Sequence, residues 1–276
     1  MLERLTDPEG VLAMPEGPPR AAALVLSGSS GRVEEERCRI FASHGVAALS
    51  VRWFGGIRQP PGICEVPLES FRPALDRLAA LSPRLVLFGI SKSAEVALLL
   101  AARDPRITLT VAMSPSSVVW ANVGAGSDGA DFPYRSSWTW RGEPLPFIPY
   151  DDSWERPRGE WPSYVGLYEK SLRTYAAAVE SARIPVEHIG GEVIVTAGGD
   201  DQVWPSQAFA SAIVQRRRLA GRDTTFVLHP DAGHRAVLPG EAPSYGLGLA
   251  RGGSAAADTA HGAAIWSAVT KTLGLV

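Results

Sequence analysis

From residue 21 onward, short apolar runs rich in Val, Leu, Ile and Ala alternate with longer stretches in which apolar positions recur at helical spacing. The runs 21–27, 46–53, 84–89, 107–112, 192–197 and 225–229 read as strands, and 33–44, 67–81, 92–103, 205–220 and 256–273 as helices. Strands that are apolar on both faces, each followed by a helix, predict an α/β fold with a mainly parallel sheet covered by helices on both sides. Val11-Leu12-Ala13-Met14-Pro15 predicts an antiparallel edge strand ahead of the Pro/Gly turn at 15–19. The alternation lapses over residues 114–189, which hold five of the eight Trp and five of the six Tyr among prolines and charges. That segment reads as a lid inserted into one domain spanning 1–276.

Composition narrows the function classes. A net charge of −2 and a pI near 6.2 give no global basic field, so neither nucleic acid nor an anionic membrane is expected as the partner. The N-terminus carries no apolar signal core and no run is long enough to span a bilayer, which makes a cytoplasmic protein the expectation. Cys38 and Cys64 lack metal-site spacing and read as free thiols. Gly246-Leu247-Gly248, with Gly252 and Gly253, follows no strand and reads as loop rather than as a nucleotide site.

The segment with the most chemistry is Gly89-Ile90-Ser91-Lys92-Ser93-Ala94-Glu95, entered from a strand and left by an Ala/Leu-rich helix. A strand-to-helix turn this sharp needs small neighbours, and it lifts a serine hydroxyl clear of the sheet, so Ser91 is the candidate nucleophile. A plain βα turn with a serine cap is the competing reading. Two later strands supply partners. The strand at 192–197 runs into Gly198-Gly199-Asp200-Asp201-Gln202-Val203-Trp204-Pro205, where an orienting acid belongs. A G-x-x-D reading from Gly198 selects Asp201, leaving Asp200 to support the turn. The strand at 225–229 is followed by Pro230-Asp231-Ala232-Gly233-His234, a loop histidine in the position of a general base, whereas His44, His188 and His229 have strand-end, helix-end or linker contexts. The order Ser91, Asp201, His234 is that of the α/β-hydrolase fold. In that fold the loop after the first central strand, Gly28-Ser29-Ser30-Gly31, supplies one oxyanion-hole amide, here Ser29, and the amide after the nucleophile, Lys92, supplies the other.

Aromatic side chains bury much apolar area while fixing a pocket's shape, so Trp120, Trp138, Trp140, Phe147 and Trp204 are candidate substrate-binding residues, with Phe132, Trp154 and Trp161 as further lid aromatics. The alternative is that several of them anchor the insertion to the body.

These blocks, together with Glu35-Glu36-Arg37, His44-Gly45-Val46-Ala47-Ala48-Leu49-Ser50, Ile184-Pro185-Val186-Glu187-His188-Ile189 and the terminal Ala260-His261-Gly262-Ala263-Ala264-Ile265-Trp266, resemble the C-terminal catalytic domain of the acyl-CoA thioesterase and bile acid-CoA:amino acid N-acyltransferase family. The most specific of them is Asp200-Asp201-Gln202-Val203-Trp204-Pro205-Ser206, and the likeness covers about residues 21 to 273. The resemblance implies the same triad and a small-molecule acyl thioester as substrate, linked to coenzyme A or a carrier protein, with no metal or organic cofactor. His261 falls on a recurrent family histidine. The chain departs from the family in two places: Ser93 stands for the usual elbow glycine, and the twenty residues before the first central strand cannot form the β-sandwich domain that animal members carry. The expectation is a catalytic domain alone, acting as a thioesterase; oxygen-ester hydrolysis, acyl transfer to an amine and non-catalytic binding are the rivals.

Overall fold

The computed structural model describes residues 1–159, 161–243 and 248–275. In chain order the strands are β1 (Leu2–Thr6), β2 (Glu9–Ala13), β3 (Ala21–Leu26), β4 (Val46–Val51), β5 (Val66–Pro67), β6 (Leu85–Ile90), β7 (Ile107–Met113), β8 (Trp138–Trp140), β9 (Glu143–Pro144), β10 (Glu192–Gly198) and β11 (Thr225–His229). The α-helices are α1 (Glu35–Ser43), α2 (Arg72–Ala79), α3 (Lys92–Ala101), α4 (Val165–Thr174), α5 (Ala176–Ala182), α6 (Ser206–Leu219) and α7 (Ala255–Thr272).

Eight strands form one sheet in the order β1-β2-β4-β3-β6-β7-β10-β11, parallel from β4 to β11, with β2 antiparallel to both its neighbours. Alternate side chains enter two separate cores. Leu24, Leu26, Leu85 and Leu87 face α2, α3 and α6, whereas Ala23, Val25, Val86 and Phe88 face α1 and α7. Burying each such large side chain is worth about 1.5–3 kcal/mol, and the two-sided cover is why these strands are apolar throughout.

All six central strands appear within two residues of their expected bounds. The expected edge strand is antiparallel as foreseen, but it is not the edge: β1 pairs outside it, Leu2 opposite Ala13 and Thr6 opposite Glu9. Leu2 and Leu5 serve opposite faces of the sheet, so β1 lacks the period-2 pattern that identifies a half-buried strand. The helix expected over 67–81 divides into a 3-10 turn, Leu68–Phe71, and α2, because Pro73 in the first turn starts the α-helix afresh.

Residues 114–189 carry β8, β9, α4 and α5, and β8 pairs with β5 in a second, three-stranded sheet. A third apolar cluster of Trp120, Ile148, Ala182, Trp204 and Phe209 packs this segment against α6. Helix α3 packs on β6 and β7 and receives Trp138 of β8 at Glu95; it is buried at all ten positions, which explains its apolar character all round. Cys38 and Cys64 are buried free thiols. Among the described residues no helix is long and apolar enough to cross a membrane. Of the glycine-rich loop, Gly246 and Leu247 lie outside the described residues.

Candidate active site

Ser91 sits alone between β6 and α3 with φ 57° and ψ −122°, a left-handed conformation that costs a non-glycine residue about 1–3 kcal/mol. Its surroundings hold it there. The Ser91 amide donates to the Met113 carbonyl at 2.9 Å, and its own carbonyl accepts from the Ala94 amide at 2.9 Å. A side chain at Gly89 would come within 2.4 Å of the Ser93 carbonyl oxygen, so the approach of β6 to α3 requires glycine there. Ser93, by contrast, has a use for its hydroxyl. Buried, its Oγ accepts from the Ile90 amide at 2.8 Å and lies 2.9 Å from the Leu26 carbonyl, to which it can donate, tying the ends of β6 and β3 together under the elbow. The departure from glycine is thus accommodated by two hydrogen bonds that glycine cannot make.

Lys92 opens α3, so its amide has no acceptor within the helix and is free to face an incoming anion. Its ammonium is buried and paired with Glu95 at 2.8 Å, and Trp138 Nε1 donates to the other Glu95 oxygen at 3.0 Å. Burial lowers the pKa of Lys92 and raises that of Glu95, while their pairing opposes both shifts. Opposite, the turn closed by Gly31 N–H to Gly28 C=O at 3.2 Å holds Ser29. Gly28 lies so close that a Cβ there would stand 3.1 Å from the Ser91 Cβ.

The acid and the imidazole meet because the loops after β10 and β11 are pressed together. A Cβ on Gly198 would lie 2.2 Å from the Ala232 and Gly233 carbonyl oxygens, and one on Gly199 2.3 Å from that of Pro230. Asp201, buried, accepts from His234 Nδ1 at 2.7 Å through Oδ2, and from the Val203 and Trp204 amides at 2.8 and 3.3 Å through Oδ1. The His234 backbone is fixed as well: its amide donates to the Arg251 carbonyl and its carbonyl accepts from Ser114 Oγ, each at 2.8 Å. With Nδ1 committed to a carboxylate, Nε2 is the nitrogen left to take up a proton. Asp200 instead braces the turn, accepting from the Gly253 amide at 2.7 Å and Gln202 Nε2 at 2.8 Å.

Ser91 and His234 line one cleft of about 130 Å³, with Gly28, Ser29, Ile90 and Val203. Its wall also carries Arg32, Glu34, Arg235 and Arg251, which sequence reasoning did not single out. Arg235 adjoins His234, and Arg32 and Glu34 follow directly on the Gly28–Gly31 turn, so all three adjoin segments that the sequence marked; Arg251 comes from a distant loop and left no signal.

None of the five aromatic candidates lines that cleft, although Trp204 touches the site from behind. Trp120 is wholly buried, stacked on Tyr150, and Trp138 is wholly buried on Glu95, so in this structure protein atoms surround both. Trp204 donates from Nε1 to the Ser114 carbonyl at 3.1 Å and packs edge-on against the His234 ring, which gives it a bracing contact with the site. Trp140 borders a separate depression with Arg72 and Arg103, and Phe147 packs partly buried on the core. His261 lies on α7 behind β11, its Nε2 3.2 Å from the Val227 carbonyl, and burial holds its pKa below the usual histidine value. Among the described residues no group of three or more His, Cys, Asp or Glu side chains is placed to hold a metal ion.

A parallel sheet of this strand order, with a left-handed serine between its fifth strand and the following helix, defines an α/β-hydrolase. Residues 66–245 match the family model described as BAAT / Acyl-CoA thioester hydrolase C terminal, and the chain belongs to that family. It is 25% identical over 236 residues to acyl-coenzyme A thioesterase 6 of Mus musculus, covering 81% of this chain and 50% of that protein. Against acyl-coenzyme A amino acid N-acyltransferase 2 of Rattus norvegicus it is 26% identical over 238 residues, covering 83% and 52%. The chain therefore spans about half the length of these curated relatives. Among solved structures, a putative dienelactone hydrolase from Klebsiella pneumoniae superposes with a TM-score of 0.55 at 14% identity, covering 96% of this chain and 92% of the other, which attests the fold.

Proposed function

We propose that the chain is a serine hydrolase that cleaves acyl thioesters through an acyl-enzyme. The observation that carries this reading is the left-handed Ser91 at one cleft with an Asp201–His234 pair, in a chain whose family includes acyl-CoA thioester hydrolases. Ser91 Oγ attacks the thioester carbonyl while His234 Nε2 accepts its proton. Asp201 keeps the imidazole in the needed tautomer and stabilises its cation. The amides of Ser29 and Lys92 receive the tetrahedral oxyanion; Lys92 is the first residue of α3, so its amide has no acceptor within the helix. The protonated imidazole gives its proton to the leaving thiolate. Water, deprotonated by the same ring, then attacks the acyl carbonyl, and the ring returns that proton to the departing Ser91 Oγ as the acid is released.

Coenzyme A as the thiol carrier is taken from the family. The test is a panel of acyl thioesters of varied chain length on coenzyme A and on small thiols, alongside labelling by a fluorophosphonate. Thioester turnover with labelling at Ser91 is expected. Turnover that persists in Ser91→Ala would overturn the assignment.

A further inference from the structure

Strand β7 supplies no residue to the candidate triad, yet in the sheet it lies between β6, which leads to Ser91, and β10, which leads to Asp201. Its last residue, Met113, stands opposite Ile90 on one side and Thr196 on the other. The next residue, Ser114, leaves the sheet with φ 42°, in the left-handed region that a side chain disfavours. It is 3% exposed, and every polar group it owns is engaged. Its amide donates to the Thr196 carbonyl at 2.9 Å, its Oγ donates to the His234 carbonyl at 2.8 Å, and its own carbonyl accepts from Trp204 Nε1 at 3.1 Å. One residue upstream, the Met113 carbonyl accepts from the Ser91 amide at 2.9 Å.

Residues 113 and 114 therefore reach the segments of all three candidate catalytic residues. Ser91 is held at its amide. His234 is held at its carbonyl, and since its amide is tied to the Arg251 carbonyl at 2.8 Å, the peptide units on both sides of its Cα are fixed and the imidazole hangs from a fixed root. Asp201 is reached through Trp204, whose backbone amide donates to Asp201 Oδ1 at 3.3 Å and whose ring meets the His234 ring edge-on, centroids 5.8 Å apart. Left-handed side-chain-bearing residues persist only where their surroundings fix them, and they gather at active sites. Stability alone does not ask for serine here, because glycine takes the same φ without strain. What glycine lacks is the hydroxyl that reaches His234.

We propose that Ser114 is a positioning residue of the hydrolase site: its hydroxyl and its carbonyl, aimed by the left-handed turn at the end of β7, hold the His234 loop and the Asp201–Trp204 segment in register with Ser91. This deepens the hydrolase reading and rests on it. Ser114 acts through His234 and does not touch substrate. A displacement of about 1 Å at a reacting group is enough to slow a reaction on the order of 100-fold, so losing the Ser114 hydroxyl slows proton transfer from Ser91 to His234 and leaves substrate affinity in place.

The test compares variants with p-nitrophenyl acetate as substrate and a fluorophosphonate as the label for Ser91. Ser114→Ala removes the hydroxyl and keeps the strained backbone, whereas Ser114→Gly removes the hydroxyl and relieves the strain, so Ser114→Gly should melt at or above Ser114→Ala. In both, kcat and the maximal labelling rate should fall about 10- to 100-fold, with KM and the labelling KI within about twofold of wild type. Thr110→Val, on the same strand with a buried hydroxyl that meets no partner among the described residues, should leave both rates unchanged. In a His234→Ala background, adding Ser114→Gly should alter the residual rate less than about twofold, because nothing is left for Ser114 to align. Rates that follow the melting temperature and recover in Ser114→Gly overturn the proposal, and so does an equal loss with and without His234. NMR of the imidazole reads the same geometry with no turnover. In wild type the Nδ1 proton between His234 and Asp201 should resonate far downfield, and in Ser114→Gly it should broaden or move upfield; an unaltered resonance counts against the proposal. If neither probe reacts with the wild-type protein the hydrolase reading fails, and this resonance still decides whether Ser114 aligns the pair.

Discussion

At the scale of single residues, the site separates groups that would react from groups that hold them. Ser91→Ala should lower kcat by a factor on the order of 10⁴ or more and abolish fluorophosphonate labelling, with the melting temperature little changed, because the half-buried serine lines the cleft and its hydroxyl adds little packing. A Ser91→Ala/His234→Ala double variant should be hardly worse than either single one, since the two act as a unit. The adjacent carboxylates make a sharper test. Asp201→Asn leaves the site's shape but favours the wrong imidazole tautomer, so kcat should fall on the order of 10⁴. Asp200→Asn, which disturbs only the contacts to Gly253 and Gln202, should cost far less. Steady-state kinetics on both variants would expose a reversed order, which would transfer the acid role to Asp200. Ser93→Ala deprives the buried Ile90 amide and Leu26 carbonyl of a partner, and urea unfolding should register a loss of about 1–3 kcal/mol.

Between elements, the decisive contact is the closure of the β10 loop onto the loop that carries His234. Gly198→Ala places a methyl where only 2.2 Å separates it from two carbonyl oxygens, so the loops must part. The expected outcome is a loss of kcat together with a lower melting temperature, and crystallography or NMR would find the Asp201–His234 bond lengthened. The packing of α7 on β11 predicts a pH effect. His261 has a pKa below the ordinary 6.5 because burial disfavours its cation. Below 6.5 the unfolded chain therefore binds the proton before the folded chain does, and stability falls as pH drops from 6.5 toward the folded value. His261→Gln has nothing to titrate there, so the difference in melting temperature between pH 7.5 and pH 5.5 should be smaller in the variant than in wild type.

For the whole molecule, the open chemical question is which nucleophile accepts the acyl group. An ester on serine is less activated toward amines than a thioester on cysteine, and water has the advantage of concentration. An amino acid acceptor would also need a site for its carboxylate. Two arginines of the segment 114–189 are engaged elsewhere: Arg135 is held by Asp128 and the Ala130 carbonyl, and Arg141 lies over the Trp140 ring. Free acid should therefore dominate when a turned-over acyl-CoA is incubated with millimolar glycine or taurine and the products are analysed by mass spectrometry. A majority of N-acyl amino acid would make the chain an acyltransferase while leaving Ser91, Asp201 and His234 in their proposed roles.

The sequence alone determined the central strands, the elbow and the order of the three candidate catalytic residues, because each is a local matter. A doubly covered strand must be apolar on both faces, a left-handed serine needs glycine before it, and a carboxylate at a strand end announces itself beside Gly198 and Gly199. The tertiary structure decided whatever depends on neighbours distant in the chain. β1 became the edge by pairing with β2, without a periodic pattern of its own. Trp120 and Trp138, conspicuous as aromatics, were drawn into the interior because burial takes each large ring out of water while its N–H finds an acceptor, Ser116 Oγ for Trp120 and the Glu95 carboxylate for Trp138. Arg32 and Arg235 stand next to marked segments, the Gly28–Gly31 turn and His234, but that they line one cleft together with Arg251 follows only from how three separate loops converge in space.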